Sequence, residues 1–379
     1  MPIAPAPTSL LQPLTHGEDA QRPFDVAVIL PTTGRPSLLR AARSVFHQDM
    51  DGRIQLLIGV DKAEPGLESL LDTLVAECPA KVSLYLFNPG YSTSKRHGGL
   101  FSNHYSGALR TILSFAANSR YLAYLDDDDW YAGNHLSSLL TAVAGKQWAF
   151  SLRWMVDQVT GWPLCPDEWD SLGPGKGINA ERYGGFVSPS NLLLDREATL
   201  FYLPLWSLAA FDDGTGEDRL LFNELKNMTW ASNNAHTCFY ELRPDHQAHP
   251  HHAREFAQRG IRWHLDRELV PRIQALTAQA QALLKDGAPA EAAATARQAL
   301  ALHPYHHPAL SLLAQAEWQL GQREEALTHL EQARAADDQT PEDEERLSAW
   351  LQAQGRSAEA ITARQPLERR FPHLTPLAP

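Results

Sequence analysis

Asp126, Asp127, Asp128 and Asp129 follow one another directly behind the apolar run Tyr121 to Leu125. Four adjacent carboxylates repel one another wherever water is scarce, so something cationic has to compensate them. Hard divalent cations such as Mn2+ or Mg2+ suit them, because these ions take oxygen ligands and complete their shells with water and substrate phosphates. An isolated acidic run of this kind is otherwise a solvated turn that favours the N-terminus of the next helix. What separates the two cases is position: here the run ends an apolar strand, where open α/β sheets bind ligands.

Other residues could do chemistry nearby. Asp61 ends a second apolar run, and Glu217-Asp218 opens the segment Arg219 to Asn227, which reads as a helix. An acidic pair there suits the helix dipole whatever else it does. Lys95, Arg96 and Asn103 lie in a glycine-containing stretch, where they could meet a diphosphate or equally be solvated. His246, His249, His251 and His252 lack the i, i+4 spacing of a helical metal pair, and nearby prolines favour a loop. Trp154, Trp162 and Trp169 could stack on sugar faces, although aromatics in such a region more often fill a core. Cys78, Cys165 and Cys238 are too few and too scattered for a disulfide framework or thiolate zinc site, which fits a reducing, cytoplasmic setting. No nucleophile and base suggest a protease or thiol hydrolase.

The elements that must position these groups alternate in type. Phe24 to Leu30, Ile54 to Val60, Val82 to Phe87 and Tyr121 to Leu125 are short apolar runs bounded by turn residues, and they read as strands. Pro36 to Gln48, Leu67 to Ala76 and Tyr105 to Ala117 have helical periodicity. Such alternation predicts crossover units and a mainly parallel sheet. From Trp148 to about His252 the pattern is irregular, and mixed strands and long loops are expected. Residues 1 to 22, rich in proline, are expected to be a flexible tail.

Beyond about Arg262 the composition shifts to Ala, Leu, Gln and Glu. Gly287, Gly321 and Gly355 stand 34 residues apart, each followed four residues later by Glu-Ala: Glu291-Ala292, Glu325-Ala326 and Glu359-Ala360. That is the tetratricopeptide period, with two antiparallel helices per unit, the glycine in the turn between them and the alanine at their close approach. Three units are just enough to stack.

The chain resembles the family-2 glycosyltransferases of the GT-A fold. The residues that carry the likeness are the strand leading into Pro31-Thr32-Thr33-Gly34-Arg35-Pro36 with its helix ending Ser44 to Gln48, the strand-end Asp61, the Asp126 to Asp129 run, and Gly216-Glu217-Asp218. The resemblance implies a GT-A, Rossmann-like domain over residues 23 to 262, followed by tetratricopeptide-like helical repeats over 263 to 379. It implies that Pro31, Thr32, Thr33, Arg35 and Asp61 hold a nucleotide, Asp61 through the base, with Asn103 a further candidate. Asp126-x-Asp128 would be the Asp-x-Asp motif, Asp126 and Asp127 facing the nucleotide sugar and Asp128 binding the metal together with Asp126. His246 would complete the metal shell. Asp218 would be the catalytic base, with Glu217 beside it. Asp61-Lys62-Ala63-Glu64-Pro65 departs from the family's usual acid, glycine and serine, which leaves open which base is read.

The function so implied is inverting transfer of a sugar from a nucleotide sugar, a UDP-sugar by expectation, with Mn2+ or Mg2+. A helical-repeat partner domain suggests a peptide or protein acceptor, or alternatively a homodimer built through the repeats. Two other classes compete. A nucleotidyltransferase would want a richer phosphate loop than Pro31 to Arg35 offers and would leave Glu217-Asp218 unexplained. A non-catalytic scaffold would be expected to have lost one of the acidic motifs. In 379 residues, 45 acids against 33 bases give a formal charge of −12, which disfavours nucleic acid and anionic membranes as partners. No apolar stretch approaches a membrane span, and Met1 to Pro7 has no signal-peptide pattern.

Overall fold

A computed structural model describes residues 11–15, 22–100, 102–243, 250–337 and 340–371. Twelve strands are labelled in chain order: β1 Leu11–Pro13, β2 Phe24–Thr32, β3 Ile54–Val60, β4 Val82–Phe87, β5 Ser119–Tyr124, β6 Trp130–Tyr131, β7 Trp148–Asp157, β8 Pro163–Pro166, β9 Gly173–Pro174, β10 Gly185–Phe186, β11 Leu192–Asp195 and β12 Trp230–Leu242. The helices are α1 Leu38–Phe46, α2 Leu67–Glu77, α3 Gly107–Ala116, α4 His135–Ala142, α5 Ala180–Tyr183, α6 Arg196–Thr199, α7 Glu217–Leu225, α8 Pro250–Arg259, α9 Leu269–Lys285, α10 Pro289–Leu302, α11 His307–Gln319, α12 Arg323–Ala336, α13 Pro341–Ala353 and α14 Ser357–Arg370. The chain divides into two compact units. One runs to Tyr131 and adds His135–Arg153 and Glu168–Cys238; the other takes Ala132–Asn134, Trp154–Asp167 and the chain from Phe239.

In the first unit the sheet order is β1-β4-β3-β2-β5-β11-β7-β12-β6. β4, β3, β2 and β5 pair in parallel, as the strand–helix alternation requires. β11 is antiparallel to both β5 and β7, so the irregular region beyond Trp148 extends the same sheet in the other sense. The apolar runs of β2 and β3 are continuous because both faces are covered. Val26, Val28 and Leu30 pack with Ile54, Leu56 and Ile58 against α1, α2 and α4. Ala27, Ile29 and Leu57 face the other way, against Leu109 and Leu113 of α3, Leu203 and Trp206 of the 3-10 helix Leu200–Ser207, and Leu221, Phe222 and Leu225 of α7. Within the segment expected to be a flexible tail, Leu11–Pro13 adds an antiparallel strand to the edge at β4. Close approach favours glycine at Gly59 and at Gly107. A Cβ on Gly59 would come within 2.8 Å of Leu113 Cδ1, and one on Gly107 within 1.9 Å of the Trp206 carbonyl oxygen.

In the second unit, α9 to α14 form three antiparallel pairs, and each of the 34-spaced glycines falls between the members of a pair. Gly287, Gly321 and Gly355 have φ of +75°, +83° and +76°. Each closes the same two hydrogen bonds. The amides of Ala288, Gln322 and Arg356 donate to Leu283, Glu317 and Leu351 at 2.9 Å, and the glycine amides donate to Leu284, Trp318 and Gln352. This is a Schellman ending, which satisfies the last carbonyls of one helix while turning the chain into the next. Ala292, Ala326 and Ala360 are buried, as close helix approach demands. Trp318 and Trp350 stack across α11 and α13 with centroids 4.4 Å apart. A Cβ at any of the three glycines would meet nothing within 4 Å, so the left-handed backbone alone sets the cost of a side chain. Gly321→Ala is therefore expected to lose about 1–2 kcal/mol in urea unfolding, with an unchanged helix content. A loss near zero would mean that the turn is not held in that conformation.

Candidate active site

The site grows out of the strand order. β3 and β5 flank β2 on opposite sides, so the chain leaving β2 and the chain leaving β5 diverge and open a crevice at their carboxyl ends. Thr32 ends β2 there, and Gly34, at φ +89°, turns the chain so that its amide donates to Thr32 Oγ1 at 2.9 Å. β5 ends at Tyr124; Leu125 still donates to the Ile29 carbonyl at 3.0 Å, and the four aspartates follow.

Each aspartate is held differently. Asp127 is buried, accepts from Thr32 Oγ1 at 2.6 Å, and pairs with the Arg35 guanidinium. Arg35 also reaches Asp128 at 3.2 Å. Arg40, stacked on Trp130, donates to the Asp128 carbonyl at 3.1 Å. Asp126 pairs with Arg110 of α3. The Ser190 hydroxyl donates to Asp129 at 2.7 Å and accepts from the Asp126 amide at 3.2 Å. The cationic compensation that four carboxylates demand is thus supplied in part by two arginines of the chain itself.

Arg110 ties this loop to the acidic pair of α7. Its side chain is buried, lies over the Trp206 ring and reaches Glu217 at 3.4 Å. Gly216, at φ +87°, caps α7, so Glu217 and Asp218 occupy the first turn. Burial, then the neighbouring Asp218 charge, push Glu217 up to about 7, with Arg110 working against both. Burial also raises the Asp218 carboxyl, opposed by Arg219 and Arg110. Asp218 remains partly exposed, whereas Glu217 is buried. Glu217 is turned to Arg110, whereas Asp218 accepts from the Arg219 amide at 2.7 Å.

The remaining candidates are positioned as follows. Pro31 lies in β2 and Thr33 beside Glu64, whose amide donates to the Thr33 carbonyl at 2.7 Å. Asp61 is buried and engaged by its own chain. It accepts from the Thr93 amide at 2.7 Å, from Ser94 Oγ at 2.6 Å and from Thr93 Oγ1 at 2.9 Å, and meets His97 Nδ1 at 2.7 Å. Burial works to raise its pKa, yet the hydrogen bonds from Ser94, His97 and Thr93 outweigh it and hold the carboxyl below its usual value. Asn103 is likewise occupied: its amide donates to the carbonyls of Trp206 and Leu208, and its oxygen accepts from Tyr105 and Gly107. Asp61 and Asn103 thus shape the loop that carries Lys95 and Arg96, both exposed. Trp169 is buried; Trp154 packs on Tyr305 and Trp162 on His303 and His306, within the second unit. His246 lies outside the described residues. Arg110, Arg40 and Ser190 are the site residues that sequence reasoning misses. For Arg110 the sequence shows only an arginine on the helix that precedes β5, 16 residues before Asp126.

Among the described residues no three His, Cys, Asp or Glu side chains gather into a ready-made metal cage. Mg2+ and Mn2+ need no such cage, because one or two carboxylates and the substrate's phosphates suffice. Asp126 and Asp128 provide hard oxygen donors of that number, so the donor set fits an ion that arrives with a diphosphate.

An open α/β sheet with an acidic crevice at its switch point, joined to a helical-repeat array, is the class that fold and site define. The family model described as "Tetratricopeptide repeat" matches residues 283–351. Among solved structures, S. aureus TarS 1–349 aligns at 10% identity over 91% of this chain and 89% of that one, with a TM-score of 0.42. Its complex with UDP aligns at 11% identity, with the same coverage and a TM-score of 0.41. MamA aligns at 18% identity over 27% of this chain, with a TM-score of 0.26; the match spans 60% of the MamA chain. No curated protein matches.

Proposed function

We propose that the chain is a metal-dependent, inverting glycosyltransferase that uses a nucleotide sugar, a UDP-sugar foremost, and a peptide or protein acceptor. The observation that carries this reading is the Asp126–Asp128 loop, set at the sheet's switch point and joined through Arg110 to Glu217-Asp218. Asp126 and Asp128 would hold Mn2+ or Mg2+, which when bound stabilises the charge that develops on the leaving diphosphate. Thr32, at the end of β2, and Arg35, in the turn that follows, would meet the phosphates and ribose. Asp218 accepts the proton of the acceptor nucleophile, whose freed electron pair forms the bond to the anomeric carbon. The bond from that carbon to the diphosphate breaks, and its electron pair leaves with the diphosphate. A single base behind the sugar implies inversion. Glu217, held by Arg110, positions the first turn that carries Asp218.

The repeats give the reading its acceptor class, since stacked helix pairs build extended surfaces suited to a peptide chain. Among the described residues no helix is long and apolar enough to cross a membrane.

The test is donor hydrolysis. The purified chain is incubated with UDP-, GDP- and dTDP-sugars, with and without Mn2+, beside Asp128→Ala. Metal-dependent nucleotide release from one donor, lost in Asp128→Ala, is the expected result. No release, together with no nucleotide binding by calorimetry, would leave a non-catalytic scaffold as the better account.

A further inference from the structure

We propose that Arg35 is a resident counter-ion of the four-aspartate loop, which keeps a divalent cation off Asp128 until a nucleoside diphosphate draws the guanidinium away. This rests on the nucleotide-sugar reading above. Three observations carry it. Arg35 straddles the loop, bridging Asp127 and Asp128 with one guanidinium. Its two partners are nearly closed to water, with side chains 4% and 11% exposed, so the pair is screened little and the arginine matters to both. Arg35 itself is 33% exposed at the lip, while Arg110, on the same loop, is 6% exposed and fixed beneath it. Of these two arginines, one is therefore built in, and the other is placed where it can leave.

A metal ion arriving alone would have to shed water and displace a charge-assisted fork for two carboxylates at most. A metal ion arriving with a diphosphate changes both sides of that exchange. The diphosphate adds oxygen ligands to the ion and offers the released guanidinium a second bidentate anion. Metal and nucleotide are then linked: whatever factor the nucleotide adds to metal affinity, the metal adds to nucleotide affinity. Arg35 is the residue through which that factor passes.

The experiment is a Mn2+ titration of the full chain followed by electron paramagnetic resonance of free Mn2+, with and without UDP, GDP or dTDP. It is run on wild type, Arg35→Met and Arg35→Lys, with circular dichroism as the folding check. Wild type is expected to bind Mn2+ about tenfold or more tightly with the cognate diphosphate than without. Arg35→Met is expected to bind Mn2+ without nucleotide about tenfold more tightly than wild type, and Arg35→Lys to fall near wild type. Wild type that binds Mn2+ equally well with and without a nucleotide it demonstrably binds would overturn the proposal, and this requires no variant to fold. So would Arg35→Met that binds Mn2+ no more tightly than wild type. Calorimetry separates the two levels. If a nucleotide binds and the Arg35 result fails, only the counter-ion role is lost. If no nucleotide binds, the nucleotide-sugar reading falls and takes this inference with it.

Discussion

Asp218→Asn is expected to slow sugar transfer by about 10²–10⁴-fold, the range that a positioned general base contributes. The variant keeps the shape and the hydrogen bond from the Arg219 amide at 2.7 Å, but it cannot take up a proton. Nucleotide affinity, measured by calorimetry, should stay within about twofold, because Asp218 sits on α7 rather than on the aspartate loop. Glu217→Gln should cost less, since Glu217 is turned inward to Arg110. The pH profile has a definite sense. A base works when deprotonated, so activity falls as pH drops through its pKa. Burial raises the Asp218 value, so this acidic limb lies above the range of an ordinary carboxylate. An Asp218→Asn variant that retains a third or more of wild-type turnover would remove Asp218 from the chemistry.

The second large effect is on stability. Arg110→Met should cost about 3 kcal/mol in urea unfolding, the lower end of the penalty for leaving a buried charge without its partner. Asp126 and Glu217 both lose a guanidinium, and the methionine fills the volume over Trp206 without replacing the charge. Arg110→Lys should fall between, because an ammonium retains the charge and loses the fork. The loss should depend on pH. Glu217 titrates at about 7 in the folded chain, above its ordinary unfolded value near 4.3. A carboxyl raised on folding binds more protons folded than unfolded, so it withdraws stability as pH rises from about 4.3 to 7. Without Arg110, which lowers the Glu217 value, that window extends to higher pH and the total loss grows. The deficit of Arg110→Met should therefore be smaller at pH 4.5 than at pH 8. A deficit that is equal at both would mean that Glu217 does not depend on Arg110.

How legible these features are differs by residue and for physical reasons. Ile54–Val60 and Val82–Phe87 have the bounds their apolar runs predict, because strands covered on both faces carry an unbroken hydrophobic signal. The repeats are legible because a left-handed turn admits glycine almost alone, so Gly287, Gly321 and Gly355 mark the array. β1 is hidden, since three residues ending in Pro13 at a sheet edge have no periodicity to show. Beyond Trp148, β11 joins the main sheet through antiparallel pairs with β5 and β7, partners that lie far off in sequence, while β9 and β10 pair apart from it, so only irregularity is visible. In the site, the aspartate run and Glu217-Asp218 are legible by type and place. Not all of their partners are: Arg110 occupies a helix where arginine is ordinarily solvated, and Ser92, Thr93 and Ser94 read as a polar loop although four of their groups serve Asp61. A lone polar residue shows its task only when its partner is seen.

The distances along the chain that Arg110 and Arg35 span have a bearing on how the site comes into being. Arg110 and Asp126 are 16 residues apart, Arg35 and Asp127 are 92, and Arg110 and Glu217 are 107. Closing long segments costs chain entropy before any contact repays it, and topologies of this kind form slowly. The helix pairs of the repeats, each closed by a two-bond turn, are local and form early in comparison. On the ribosome the order of synthesis runs the other way: the sheet emerges first and the repeats last. Of the contacts Arg110 makes, the one to Glu217 therefore cannot close until α7 has been synthesised.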